Sequence, residues 1–137
     1  MMETNSKLVR AWLQKAAHDL VAAKKLSGDG DPLDTAIYHC QQAAEKAVKA
    51  YLCHAEAPIE KTHDVERLIK LAAINLPEFG KWLNEAEIIT PYASRFRYPM
   101  EDVPMEPERS EFQEALDAAQ RLYDFVLSVL PPEIHPS

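Results

Sequence analysis

Glycine is scarce in this sequence, at 3 residues, and no apolar run approaches the roughly 20 residues that span a bilayer. Few glycines leave few tight hairpin turns, which disfavours a sheet of short antiparallel strands and favours helices. Three scattered glycines build neither a phosphate-binding loop nor a dinucleotide fingerprint. Cysteine is rare too. Cys40 and Cys53 stand in one helix-like run, about 20 Å apart along a straight helix axis, too far for a disulfide. They read as reduced thiols in a cytoplasmic protein. Residues 1–6 are polar and show no secretory signal pattern.

Positive charge is in deficit: 15 Lys and Arg stand against 22 Asp and Glu, a net charge of −7. Its distribution matters more than its size. Residues 1–98 hold 13 basic and 13 acidic side chains. Residues 99–114 hold one basic and six acidic, and residues 115–137 one and three. All the excess acid therefore lies in the last 39 residues. A protein that wraps duplex DNA needs a phosphate-neutralising surface, and this balance disfavours that class.

Proline, at 10 residues, punctuates what remains. The chain of 137 residues is the size of one domain, with residues 131–137 expected as a loose tail. Leu8, Trp12, Ala16 and Leu20 recur every fourth residue and predict a helix from about Ser6 to Leu26, with Lys15 and Asp19 on its wet face. A second helix is expected from Pro32 to about Ala55, with Asp31 as its N-cap. A short third runs from about Asp64 to Asn75. A fourth runs from Pro77 to about Arg97, kinked or broken at Pro91. The last spans about Glu108 to Leu130, ended by Pro131 and Pro132. Four long helices and a short one with brief connections predict an all-α, antiparallel up-and-down bundle. Several apolar faces are wide, which points to a helix-mediated homodimer.

Three polar clusters stand out. Tyr38, His39, Gln42, Glu45, Lys46 and Lys49 share a stripe of the second helix. Most such stripes are solvated faces, here with a Glu45–Lys49 ion pair at i,i+4 spacing. Thr62-His63-Asp64 opens the third helix, where backbone N–H groups attract anions. Residues 92–99 interleave Arg95 and Arg97 with Tyr92, Phe96 and Tyr98 before Pro99. Arginine supplies planar phosphate contacts and tyrosine a stacking face, which suits a nucleotide or single-stranded RNA. The bland reading of that cluster is a helix C-terminus matched by cations. His39-Cys40 and Cys53-His54 match no zinc spacing, so no metal or other cofactor is expected.

Together these clusters resemble the HEPN domain family over about Trp12 to Leu130. The resemblance rests on Tyr-His-x-Gln-Gln-Ala-Ala-Glu-Lys-Ala-Val-Lys-Ala at 38–50, Thr-His-Asp at 62–64, Tyr92, and Arg-Tyr-Pro at 97–99. It implies a helical bundle that often dimerises and a link to nucleotides or RNA. It also implies a minimal nucleotidyltransferase as partner, in a toxin–antitoxin-like pair. Ribonuclease members carry an Arg followed four to six residues later by His. Here Arg95 and Arg97 are followed by Tyr98, Pro99, Met100, Glu101, Asp102 and Val103, with no His. No residue is therefore assigned a catalytic role, and the leading expectation is a nucleotide-binding module. Its binding set is His39, Gln42, Lys46, Lys49, His63, Tyr92, Arg97 and Tyr98, with Lys49 and Arg97 on phosphate and Tyr92 or Tyr98 on the base. The alternatives are a metal-independent ribonuclease toxin using Arg97 with His63 or His39, and a non-catalytic dimerisation or adaptor domain.

Overall fold

The helical stripes set the architecture. The computed structural model describes residues 2–136, with side chains from residue 5. Five α-helices follow in order: α1 (Met2–Lys25), α2 (Leu33–His54), α3 (Val65–Asn75), α4 (Leu83–Ile89) and α5 (Arg109–Ser128). No strand occurs among the described residues. The fold is the expected antiparallel helical bundle.

Alanine lets α2 take the middle. Seven of its buried residues are alanines or cysteines of the Ala36, Cys40, Ala43, Ala44, Ala47, Ala50 and Cys53 series, so neighbouring helices approach closely. Fourteen of its 22 residues are buried, and it packs against α1, α3 and α5. Beneath it, Phe79 is fully buried, its ring centroid 4.6 Å from that of Tyr51 and 5.0 Å edge-on from that of Phe125. Such aromatic contacts add about 0.5–1.5 kcal/mol each beyond area burial.

Helix ends depart from expectation in instructive ways. Asp31 does not cap α2. Its carboxylate accepts the Gly28 N–H at 2.9 Å and closes the α1–α2 turn. Pro32 takes the cap position instead, and the Leu33 N–H is satisfied by Glu106, from the acidic loop, at 3.1 Å. At the other end, Glu56 adopts the left-handed region (φ 56°). The Ala57 and Glu56 N–H groups bond back to the Leu52 and Cys53 carbonyls, closing the helix as a Schellman motif. Asp64 caps α3 by accepting the Arg67 N–H at 3.2 Å, while Thr62 accepts the Asp64 N–H.

The fourth helix breaks at Pro91, as that residue's missing N–H requires, and it is tightened at its start as well. A 3-10 segment spans Pro77–Trp82 and another Thr90–Ala93, leaving only seven α-helical residues between. Part of the tail expected to be loose, Pro132 to His135, packs on the bundle, His135 Nε2 lying 2.8 Å from the Leu127 carbonyl oxygen. Pro132–Ile134 form a 3-10 turn, Ile134 is buried, and Arg10 donates to the Glu133 carbonyl at 2.8 Å. Ser137 lies outside the described residues.

Candidate functional site

α2 is buried on most sides but keeps one open strip. Helical periodicity sets Thr35, Gln42 and Lys46 along its centre. His39 falls on the flank toward α1, and Tyr38, Gln41 and Glu45 on the flank toward the 59–64 loop and Arg97.

Two buried carboxylates organise the flanks in the same way. Asp19 of α1 is 7 % exposed. One of its oxygens lies 2.8 Å from His39 Nδ1 and the other accepts from Lys46 Nζ at 2.7 Å. Glu45 is 4 % exposed. It accepts from Lys49 Nζ at 2.8 Å and Gln41 Nε2 at 3.0 Å, and it lies 3.0 Å from His63 Nδ1. Each carboxylate thus holds one imidazole and one ammonium. An ionised carboxylate only accepts, so Nδ1 of each histidine carries a hydrogen toward it. Burial pushes the Glu45 carboxyl up, but the hydrogen bonds from Lys49, His63 and Gln41 outweigh it and leave it below 4.5.

Gln41 is fully buried and also donates to the His63 carbonyl at 2.8 Å. Two buried side chains therefore fix a residue whose own ring is 73 % exposed. Gln42 joins them by donating to Gln41 Oε1 at 2.7 Å. Lys49 is buried, its ammonium 5.8 Å from the Trp12 ring centre.

At the N-terminal end of the strip the Arg97 guanidinium lies over Tyr38, 4.4 Å from the ring centroid, and 5.8 Å from that of Tyr98. Arg97 forms no ion pair among the described residues. It faces a cleft of about 240 Å³ lined by Asp34, Thr35, Tyr38, Phe96 and Arg97. Tyr92 stands behind this wall, buried and stacked on Phe96 at 5.9 Å. Its ring faces the core, whereas Tyr98 is 66 % exposed.

The fold thus gathers His39, Gln42, Lys46, Lys49, His63 and Arg97 along one helix, with Tyr98 beside Arg97 and Tyr92 inside. Sequence reasoning missed Asp19 and Asp34. Asp19 was expected on the wet face of α1; it is buried because His39 and Lys46 of α2 close over it. The available signal was its place between Ala17 and Leu20, at the edge of the apolar stripe. Among the described residues no three His, Cys, Asp or Glu side chains converge on one point. Cys40 is buried, and desolvation pushes its thiol up to about 12, so no thiolate is on offer there.

The sequence profile of the HEPN domain matches residues 9–129, almost the whole bundle. The chain belongs to the HEPN domain family. It is similar to the solved structure of TT1696 from Thermus thermophilus, at 31 % identity and a TM-score of 0.76. The match covers 90 % of this chain and 99 % of that one. The archaeal HEPN homologue ST0689 is 24 % identical with a TM-score of 0.70, over 88 % of this chain and 95 % of its own, and shows the shared fold. No curated protein matches this chain. The HEPN bundle here carries the Arg-Tyr-Pro triplet at 97–99 without a histidine following at ribonuclease spacing. Among the described residues no helix is long and apolar enough to cross a membrane.

Proposed function

We propose that this HEPN protein is a non-catalytic nucleotide-binding module that partners a minimal nucleotidyltransferase in a toxin–antitoxin-like pair in the cytoplasm. The observation that carries the reading is Arg97: a cation with no carboxylate partner among the described residues, its guanidinium 4.4 Å from the Tyr38 ring centroid at the mouth of a cleft. A guanidinium beside an aromatic ring offers a fork of donors next to a stacking face, the two things a nucleotide needs. From there the strip runs to Gln42 and Lys46, about 12 Å along the axis from Tyr38. His39, His63, Lys49 and Tyr98 border it.

The lysines bear on the choice of reading. Lys46 and Lys49 are engaged by Asp19 and Glu45, as a purely structural adaptor requires; Arg97 is not. Phosphate is therefore assigned first to Arg97 and second to Lys46, which is the more exposed of the two lysines. Calorimetry of the purified protein with nucleoside diphosphates tests the ligand half, and absence of saturable binding would sink it. Co-expression with the small nucleotidyltransferase of an adjoining reading frame tests the partner half; a pair that elutes separately would sink that.

One observation favours a ribonuclease as the second reading. His63 is oriented by Glu45 through Nδ1 while its ring is 73 % exposed, as an acid–base histidine oriented by a carboxylate would be. RNA cleavage lost on both His63→Ala and Arg97→Ala would move the assignment there. A homodimer belongs to the proposal as well, supported by the exposure of Leu8 beside Trp12 on α1. Sedimentation at micromolar concentration decides it, and a monomer throughout would reject it.

A further inference from the structure

Two ordered patches of opposite charge stay uncovered on a single copy of the chain. The first is the turn after Arg97. It is tied down on both sides: Arg97 lies over Tyr38, and Glu106 accepts the Leu33 N–H at 3.1 Å. Between these anchors the Val103 N–H donates to the Met100 carbonyl at 3.3 Å and closes a tight turn. Met100 and Met105 are 62 % and 67 % exposed, and Glu101 and Asp102 stand exposed between them. Residues 98–106 hold three acidic side chains and no basic one. The second patch is on α1. Leu8, Ala11, Trp12 and Lys15 follow helical spacing and line a depression of about 220 Å³. Leu8 is 52 % exposed, and Lys7 and Lys15 are exposed around it. Residues 5–25 hold five basic side chains against one acidic, the buried Asp19.

The placement of the two patches says what covers them. Tyr38 lies under Arg97, and Lys49 Nζ lies 5.8 Å from the Trp12 ring centre. Eleven residues separate Tyr38 from Lys49 on α2, which is three helical turns with about 20° over and about 16 Å of rise. Both therefore leave α2 on one face, with the acidic turn at one end and the basic depression at the other. A two-fold axis perpendicular to that face reverses the ends and sets each patch opposite its complement, the self-complementarity that a closed dimer requires. We infer that the turn carrying Met100 and Met105 of one copy docks on the Leu8–Trp12 depression of a second copy, and reciprocally, an inference that rests on the homodimer reading above. A partner of other sequence with a basic groove would satisfy the turn and leave the α1 depression bare; a second copy satisfies both at once. Methionine is unbranched and polarizable, so it moulds itself to a shallow surface and packs against an indole. The turn is already held at both ends, so docking costs little ordering entropy. Glu101 and Asp102 fall at the rim with Lys7 and Lys15, where charges stay in water and set pairing and register.

The test is sedimentation velocity of the full chain over a micromolar concentration series, in about 0.05 M and about 0.5 M salt. The wild type is expected to dimerise, more weakly in the higher salt. The double variants Lys7→Glu with Lys15→Glu, and Glu101→Lys with Asp102→Lys, each set like charges face to face and raise the dimer Kd at least about tenfold. All four positions are exposed, and circular dichroism confirms the helical fold. The decisive sample is an equal mixture of the two variants. In a mixed pair the acidic turn of one meets the basic α1 of the other, and the lysine-bearing turn meets the glutamate-bearing α1, so wild-type association returns. A dimer of wild-type strength in both variants, or a mixture no tighter than either variant alone, overturns the inference and leaves the homodimer reading standing. Species that keep growing with concentration overturn the two-fold exchange. A wild type that is monomeric throughout overturns both.

Discussion

Replacing Glu45 with alanine is the most informative perturbation of this molecule. Glu45 is 4 % exposed and its partner Lys49 8 %. The carboxylate accepts from Lys49 at 2.8 Å and Gln41 at 3.0 Å, and lies 3.0 Å from His63. Removing it leaves the Lys49 ammonium in the interior without its acceptor, while Gln41 keeps only its bond to the His63 carbonyl. Breaking a buried ion pair from one side costs about 3–5 kcal/mol. The lower end applies here, because Lys49 can lean its ammonium outward along its stem. For a chain of 137 residues, an unfolding entropy near 2.1 cal/mol/K per residue makes 3 kcal/mol worth about 10 °C in Tm. Thermal melts by circular dichroism at neutral pH measure this directly.

The control is the double variant Glu45→Met with Lys49→Met. Removing both charges removes the stranded one, so the double variant should recover at least about 1 kcal/mol relative to Glu45→Ala. The pH dependence carries a sign. The Glu45 carboxyl titrates below 4.5 in the folded protein, so its contribution is complete above the unfolded value and is lost as pH falls through the folded one. The stability gap between wild type and Glu45→Gln therefore narrows as pH falls into and below the ordinary carboxylate range. A Glu45→Ala loss under about 1 kcal/mol, or a gap that widens on acidification, would refute the picture of a desolvated carboxylate held by three donors.

Further outcomes follow from single features. Glu56→Gly should stabilise the protein by about 0.5–1 kcal/mol, because φ is 56° there and only glycine adopts it freely; a lower urea midpoint would contradict it. Glu106→Ala uncaps the Leu33 N–H and should cost about 0.5–1 kcal/mol, read as a Tm drop of a few degrees; no change would mean that solvent replaces the contact. Phe79→Ala empties the centre of the aromatic cluster and should cost about 3–5 kcal/mol. A loss below about 2 kcal/mol in denaturant titration would place the core elsewhere. Cys40, its thiol pushed up to about 12 by burial, should stay unmodified by a thiol reagent in native protein at mildly alkaline pH and react at once in urea. Rapid native reaction would disprove the burial.

The bundle is legible in the sequence because its information is local. Leu13, Ala16 and Leu20 repeat at helical spacing, and Pro91 carries its own stop in the missing N–H. The extent of the 3-10 structure around α4 is not local. Thr90 donates its hydroxyl to the Ala86 carbonyl and accepts the Glu66 N–H, so that segment is shaped partly by α3. The site divides in the same way. The α2 stripe is visible by period alone, but its charge state is not, because Asp19 comes from α1 and His63 from the loop before α3. Glu45 and Lys49 sit at the spacing of a surface ion pair, and nothing in their spacing says that the pair is buried. Asp34 is equally ambiguous: an acidic residue in a first turn reads as a dipole partner until Arg97 is brought to the same cleft.

The acidic segment after Pro99 shows how a global property misleads and a placed one informs. A net charge of −7 counts against an anionic ligand only if the charge surrounds the site. Much of it has other work. Glu106 caps α2, and Glu108 with Glu111 forms the capping box of α5. A carboxylate bound to a helix N-terminus is half-neutralised by the backbone it faces. Glu101 and Asp102 remain exposed, close in sequence to Arg97. They make the approach costly for a long polyanion, whose many phosphates must pass them. A ligand with its charge at one end and a neutral base at the other is less affected. The same arrangement predicts salt dependence of opposite sign for the two ligand types. Added salt screens Glu101 and Asp102 and helps a polyanion past them, while it weakens the contact of a nucleotide with Arg97.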